Sequence, residues 1–144
     1  MKKSILLLLS AVLLMSCGGK NQSKQANNTA QKQSVAIAED SSVTVYYFHG
    51  KQRCKTCVAV GDLAKKTIEN NYAGNDKIKF IEIDTSDKQF KNLVDKYEIA
   101  WNALIIAKGD DFVDITDQAF ANAVNNPDVL SDLITEEVTQ RIEL

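Results

Sequence analysis

The chain has 144 residues, 25% of them charged, and a formal net charge of −2. This length suits one modest domain, and the slight acidity argues against nucleic-acid binding and against a polybasic membrane patch. The charge becomes more negative when Lys2 and Lys3 are discounted, because they lie in a segment that we expect to be removed.

The first 17 residues have the pattern of a bacterial lipoprotein signal peptide. A basic start is followed by an apolar run over residues 5–15, which is too short to span a bilayer as a stable helix. A small residue and Cys17 come next and resemble a lipobox, in which the cysteine is lipidated and becomes the new N-terminus. The alternative is an ordinary secretory signal with a cysteine near its cleavage site. We prefer lipidation because the apolar run stops just before Cys17 and a polar segment starts just after it.

Lipidation of Cys17 predicts where the mature chain lies. The lipid would hold it on a bacterial membrane facing the periplasm, and we expect the outer membrane rather than the inner one. Disulfides form and persist in that compartment. Because Cys17 is then occupied by the lipid, Cys54 and Cys57 remain as an even pair.

Residues 18–41 form a predicted flexible tether. They are rich in Gly, Asn, Gln, Ser and Lys and contain no aromatic residue. Such a segment buries too little apolar surface to offset the entropy of ordering it. The folded domain is therefore predicted over residues 42–144, and we expect it to be monomeric.

The apolar pattern of residues 42–144 predicts an α/β domain. The predicted strands cover residues 43–48, 78–84, 103–107 and 112–115. The predicted helices begin at Cys57, after the cap Ser86-Asp87, at Asp117 and, with Asn126 as its N-cap, at Pro127. This order gives a central mixed sheet of about four strands flanked by helices.

The pair Cys54-x-x-Cys57 follows the first predicted strand and opens the first predicted helix. Two thiols at this spacing can form a short-range disulfide. The N-terminus of the helix and the cations Arg53 and Lys55 would stabilise a thiolate on Cys54. This pattern is typical of a thiol–disulfide site.

The order and spacing of these features resemble the thioredoxin fold over residues 43–144. More narrowly, residues 46–57 are similar to thioredoxin-like lipoproteins of the ArsF family of Bacteroidota, labelled nitrophenyl compound nitroreductase subunits. The label implies a link to arsenic-type gene clusters, although nothing in this chain would hold a flavin or reduce a nitro group unaided. The resemblance implies a three-layer sandwich, a redox-active disulfide with no further cofactor, and a partner redox protein.

The chain departs from thioredoxin at three places. Trp101 and Asn102 occupy the position of the cis-proline that faces the disulfide, and we expect a trans bond there because a non-proline cis bond costs about 3 kcal/mol. Residues 43–48 contain no acid to match the buried proton acceptor of thioredoxin. Arg-Cys-Lys-Thr-Cys replaces Trp-Cys-Gly-Pro-Cys. Trp101 would either form an apolar wall beside the disulfide or pack in the core.

The resemblance implies different roles for the two thiols. Cys54, nearest the loop and facing solvent in this fold, would attack a partner disulfide, and Cys57 would resolve the mixed disulfide. His49 could shuttle a proton to Cys57 or act as a third metal ligand. We prefer the simpler interpretation that His49 is a loop residue hydrogen-bonded to backbone.

Three functions of the cysteine pair stay open, and we prefer thiol–disulfide exchange. A purely structural disulfide is disfavoured because the loop it closes is short and would add little stability. A tetrahedral zinc site needs two ligands beyond the pair, and His49 is the only histidine. A soft ion such as arsenite or copper(I) could instead be held by Cys54 and Cys57, with or without His49.

Overall fold

The computed structural model describes residues 41–144, and the predicted leader, its Cys17 and the predicted tether up to residue 40 lie outside them. The strands are β1 (Val43–His49), β2 (Ile78–Asp84), β3 (Ala103–Lys108) and β4 (Asp111–Asp114). The helices are α1 (Lys55–Asn71), α2 (Lys91–Lys96), α3 (Thr116–Asn122) and α4 (Pro127–Glu143). In this part of the chain, none of the helices has the length and apolar character needed to cross a membrane.

Within residues 41–144 the strands form one four-stranded sheet in the order β2-β1-β3-β4. β1 is parallel to β2 and antiparallel to β3, and β3 forms an antiparallel hairpin with β4. The two central strands are buried along almost their whole length, because both faces are covered by helices. This mixed sheet, with helix connections around a parallel pair and a closing hairpin, confirms the predicted thioredoxin-like sandwich.

Alternation along β1 separates two apolar layers. Val45 and Tyr47 face the cluster that includes residues of α1, α3 and α4. Tyr46 and Phe48 face the opposite cluster, which includes residues of α2 and Tyr97. Because successive side chains of a strand point to opposite faces, one apolar run serves both layers. The result is a three-layer domain with β1 at its centre.

Several ends of the elements differ from the predictions. α1 begins at Lys55 rather than at Cys57. Asp87 accepts a hydrogen bond from the Gln89 N–H as predicted for a cap, but it opens a short 3-10 turn that precedes α2. Asn126 is the N-cap of α4 and Pro127 follows it, as predicted, but the Asn126 side chain makes no capping hydrogen bond, since its amide donates to Asn122 Oδ1.

The hairpin is also shifted by one residue. Lys108 pairs with Asp111, so Gly109 and Asp110 form a two-residue turn and β4 covers Asp111–Asp114. Gly109 has φ 59°, a left-handed conformation that glycine adopts without steric cost. Ile115, predicted to end the strand, is instead buried at the start of α3.

Tyr97 packs between the small α2 layer and the sheet. Its ring lies 5.7 Å from that of Tyr46 and 5.1 Å from that of Phe112, centroid to centroid. Burial raises the pKa of Tyr97 to about 12. The folded state therefore holds a proton that the unfolded chain releases near the ordinary tyrosine value of about 10.

We expect the free energy of unfolding to fall as the pH rises from about 10 to about 12, because only the unfolded chain then gains from ionising Tyr97. Tyr97→Phe should remove this part of the slope. The check is urea unfolding of both proteins across that pH range. Equal slopes for both proteins would show that Tyr97 titrates normally in the folded state.

Candidate thiol–disulfide site

The site lies where β1 ends and α1 begins. The Cys54 backbone is extended, with φ −75° and ψ 166°, and its sulfur accepts a hydrogen bond from the Cys57 N–H at 3.0 Å. Cys54 therefore occupies the N-cap of α1, where side-chain acceptors satisfy the free N–H groups of the first turn. The positive end of the helix dipole is directed at the same sulfur.

Cys54 and Cys57 form a disulfide with a Cα–Cα distance of 4.9 Å. Their environments differ, since Cys54 is exposed and Cys57 is only 4% exposed. An incoming thiolate therefore has access to Cys54, whereas Cys57 is shielded by the protein. The exposed sulfur at the helix start is the better placed of the two for exchange with a partner.

Tyr47 fixes the first turn of α1 to the sheet. Its hydroxyl donates to the Cys57 carbonyl oxygen at 2.6 Å, and the Tyr47 side chain is fully buried. Burial raises the pKa of Tyr47 above its ordinary value, against a smaller lowering effect of Arg53. The hydroxyl therefore stays protonated as a donor through the neutral range.

Arg53 turns away from the sulfurs toward β2. Its Nη1 lies 2.6 Å from Glu82 Oε1, and its guanidinium carbon lies 5.4 Å from the centroid of the Tyr47 ring. The nearby carboxylate opposes the field that this cation would exert on Cys54. In the structure, therefore, no direct contact with the Cys54 sulfur underlies the predicted stabilisation of its thiolate by Arg53.

Glu82 was not anticipated as a residue of the site. It pairs with Tyr47 across the parallel strands, which places both side chains on the α1 face of the sheet. Its side chain is 40% exposed, so it does not replace the buried proton acceptor that residues 43–48 lack. The sequence does show an acidic residue in the second predicted strand. Placing that residue beside the end of β1, however, requires the strand register.

The ring of His49 contacts groups other than the thiols. Its Nδ1 lies 2.9 Å from the Gly50 carbonyl oxygen, and its Nε2 lies 3.3 Å from Glu82 Oε1. The backbone contact agrees with the preferred interpretation, but His49 is the last residue of β1 rather than a loop residue. In residues 41–144, no three or more His, Cys, Asp or Glu side chains are grouped so that they could hold a metal ion. The structure therefore does not bring His49 to Cys54 and Cys57 as a third ligand.

The remaining predicted residues have distinct positions. Lys55 is exposed at the first position of α1. Trp101 is 84% exposed, so the alternative that it packs in the core is wrong. Ile99 takes the inward position on this loop and packs against the α2 layer. Asn102 is brought to the disulfide, where its Nδ2 donates to Cys57 Sγ at 3.7 Å.

Two surface grooves are present among the described residues. One of about 460 Å³ runs beside the loop that carries Trp101 and Asn102, and it is lined by parts of residues 97–103 and 114–118. The other, of about 600 Å³, lies between the far half of α1 and the start of β2. Of these two grooves, the smaller one is connected to the disulfide through Asn102, which lines it and contacts Cys57 Sγ.

Comparisons with known proteins add little to this geometry. No family model matches the chain, and no curated protein matches it. Among solved structures it is similar to one described as "Structure of a malarial protein", with 20% identity over 67% of this chain and 98% of that chain. The TM-score is 0.45. The resemblance to the ArsF family stays a prediction, and the fold assignment stands on the topology.

Gly61 in α1 has no side chain, and the side chains of Arg53 and Tyr47 occupy the space where one would lie. A Cβ at this position would lie 2.7 Å from Arg53 Nη2 and 2.7 Å from Tyr47 Cε1. We expect Gly61→Ala to lower the free energy of unfolding by about 1–3 kcal/mol, the usual cost of overpacking. Urea unfolding of the folded domain measures this change.

Gly50→Ala is the matched control, because a Cβ there meets nothing within 4 Å. It should be neutral or slightly stabilising. If Gly61→Ala were as stable as Gly50→Ala, the close packing of Arg53 over Tyr47 would be contradicted.

Proposed function

We propose that this domain exchanges electrons with a partner protein outside the cytoplasm through reversible oxidation of Cys54 and Cys57. The observation that carries the proposal is the unequal exposure of the two cysteines that one disulfide joins. A structural disulfide gains nothing from an exposed sulfur at a helix N-terminus. An exchange site needs one sulfur that a partner can reach and a second one that the partner cannot.

The exchange follows from this geometry. In the reduced domain the Cys54 thiolate attacks a partner disulfide, one partner sulfur leaves as a thiolate, and a mixed disulfide forms at Cys54. Cys57 then loses its proton and attacks Cys54 Sγ. The bond to the partner breaks, its second sulfur leaves with the electron pair, and the Cys54–Cys57 disulfide forms. The partner gains the two electrons that the domain loses, and the reverse sequence oxidises a partner dithiol.

The proposed location supports the same function. A lipid on Cys17 and a tether over residues 18–41 would hold the domain near a membrane while leaving it free to meet a partner. The periplasm is a compartment where both dithiols and disulfides are chemically relevant. Trp101 is exposed on the same loop as Asn102, which contacts the disulfide. It therefore offers apolar surface for that partner.

The alternative function, binding of arsenite or copper(I), would use the same reduced sulfurs. It would have two thiolates to work with, because the His49 ring contacts Gly50 and Glu82 instead. Soft ions bind thiolates well, so the reduced pair retains some capacity for them. The exchange function accounts for more of the site, since it also uses the difference between Cys54 and Cys57.

We expect Cys57→Ser, in a chain that also carries Cys17→Ser, to form a stable mixed disulfide with an aromatic disulfide reagent. Cys54 would attack the reagent, one aromatic thiol would be released, and the other would stay attached because no resolving thiol is present. The reduced chain with Cys57 intact should release both aromatic thiols and keep none. Absorbance of the released thiol and the mass of the protein give the stoichiometry.

Cys54→Ser, again combined with Cys17→Ser, provides the control, because it leaves only the buried thiol. It should react far more slowly with the same reagent, since Cys57 is 4% exposed. Equal rates for the two single variants would contradict the assignment of Cys54 as the attacking thiol. Retention of the reagent by the chain with both thiols would contradict exchange.

A further inference from the structure

Asn102 reaches the sulfur of the buried cysteine from across the sheet. It directly precedes β3, whose first residue, Ala103, pairs with Phe48 near the end of β1. This register brings Asn102 to the edge of the sheet where α1 begins. Its Nδ2 donates to Cys57 Sγ at 3.7 Å in a partly buried setting.

We propose that Asn102 is a catalytic residue that stabilises negative charge on Cys57 Sγ during thiol–disulfide exchange. This inference rests on the proposed function, because it concerns the same two sulfurs. It adds a specific role for the carboxamide at the position where the sequence departs from thioredoxin. A proline side chain at this position would have no N–H to donate.

The two sulfurs receive different support from the protein. Cys54 Sγ accepts the Cys57 N–H and lies at the positive end of α1. Cys57 is buried, so a thiolate there loses most of its hydration. Among the hydrogen bonds of residues 41–144, the one to Cys57 Sγ comes from Asn102.

Other polar groups near the site donate elsewhere than to the Cys57 sulfur. The Tyr47 hydroxyl donates to the Cys57 carbonyl oxygen rather than to the sulfur. Arg53 pairs with Glu82 through Nη1, and its Nε and Nη2 are buried without a hydrogen-bond partner. A neutral amide donor suits the remaining position, because it favours the anionic sulfur over the neutral thiol without bringing a second charge into the partly buried site.

The same contact serves both directions of electron flow. When a partner thiolate attacks Cys54 Sγ, the Cys54–Cys57 bond breaks and Cys57 Sγ leaves with the electron pair. In the reverse direction the Cys57 thiolate attacks Cys54 Sγ and expels the partner sulfur. Both directions share a transition state with partial negative charge on Cys57 Sγ. A donor aimed at this atom stabilises that state relative to the disulfide in one direction and relative to the neutral Cys57 thiol in the other.

The test is the rate at which dithiothreitol reduces the disulfide in the full chain carrying Cys17→Ser, purified in mild detergent. Asn102→Leu keeps the approximate size of the side chain but removes the donor. It should slow reduction about tenfold, which corresponds to about 1.4 kcal/mol of transition-state stabilisation. Asn102→Asp keeps the shape but directs an anion at the sulfur, so it should slow reduction more than Asn102→Leu does.

Asn71→Ala is the matched control. It removes an asparagine hydrogen bond at the far end of α1, where Asn71 Nδ2 donates to Thr135 Oγ1 at 2.9 Å. Its reduction rate should stay within twofold of the rate of the parent chain. Circular dichroism confirms that each variant is folded, and Asn102→Asp carries the test if the leucine variant does not fold.

A second readout isolates the charge on the sulfur. In the chain carrying Cys17→Ser and Cys54→Ser, Cys57 is the one remaining thiol and reacts with iodoacetamide as its thiolate, so the alkylation rate at neutral pH reports the population of that anion. Asn102→Leu in this background should lower the rate, and Asn102→Asp should lower it further. A purely steric role would give no such order between two variants that differ in charge.

Reduction and alkylation rates that are unchanged in both Asn102 variants would overturn the inference. In that case, complete reduction of the parent chain to two thiols would leave the proposed exchange function intact. A parent chain whose disulfide dithiothreitol does not reduce would instead contradict the proposed function itself. The two failures are therefore distinguishable in one set of experiments.

Discussion

The hydrogen bond from the Tyr47 hydroxyl to the Cys57 carbonyl oxygen, 2.6 Å long and buried, joins the central strand to the first turn of α1. Because it fixes where the helix starts, it fixes the N-cap position of Cys54 and the burial of Cys57. A helix that started elsewhere would lose the N–H contact to the Cys54 sulfur. The difference between the two sulfurs, on which the proposed exchange depends, therefore follows from the packing of one helix end on one strand.

Three charged or titratable side chains of the site contact one another rather than the disulfide. Arg53 and Glu82 pair with each other, and His49 also contacts Glu82. What remains at the sulfurs is the helix N-terminus for Cys54 and the Asn102 amide for Cys57. Dipoles therefore provide the direct contacts to both sulfurs, and they act at short range.

The fold and the cysteine site could be predicted from the sequence because they depend on local pattern. The buried strand before Cys54-x-x-Cys57 and the helical period after it are visible in consecutive residues. The contacts of Arg53 and Asn102 could not be predicted, because each depends on strand register between segments distant in the chain. The exposure of Trp101 also escaped prediction, because hydrophobicity alone does not show that Ile99 takes the inward position on the same loop.

The central claim, a reversible two-electron disulfide, is tested most directly by a redox titration. The full chain carrying Cys17→Ser would be equilibrated across glutathione buffers, its free thiols alkylated, and its mass measured. We expect one sharp transition between roughly −270 and −120 mV, the range from thioredoxin to strong periplasmic oxidants. A pair that stays oxidised throughout would indicate a structural disulfide and contradict the account. A pair that stays reduced throughout would contradict it as well, and would favour binding of a soft ion.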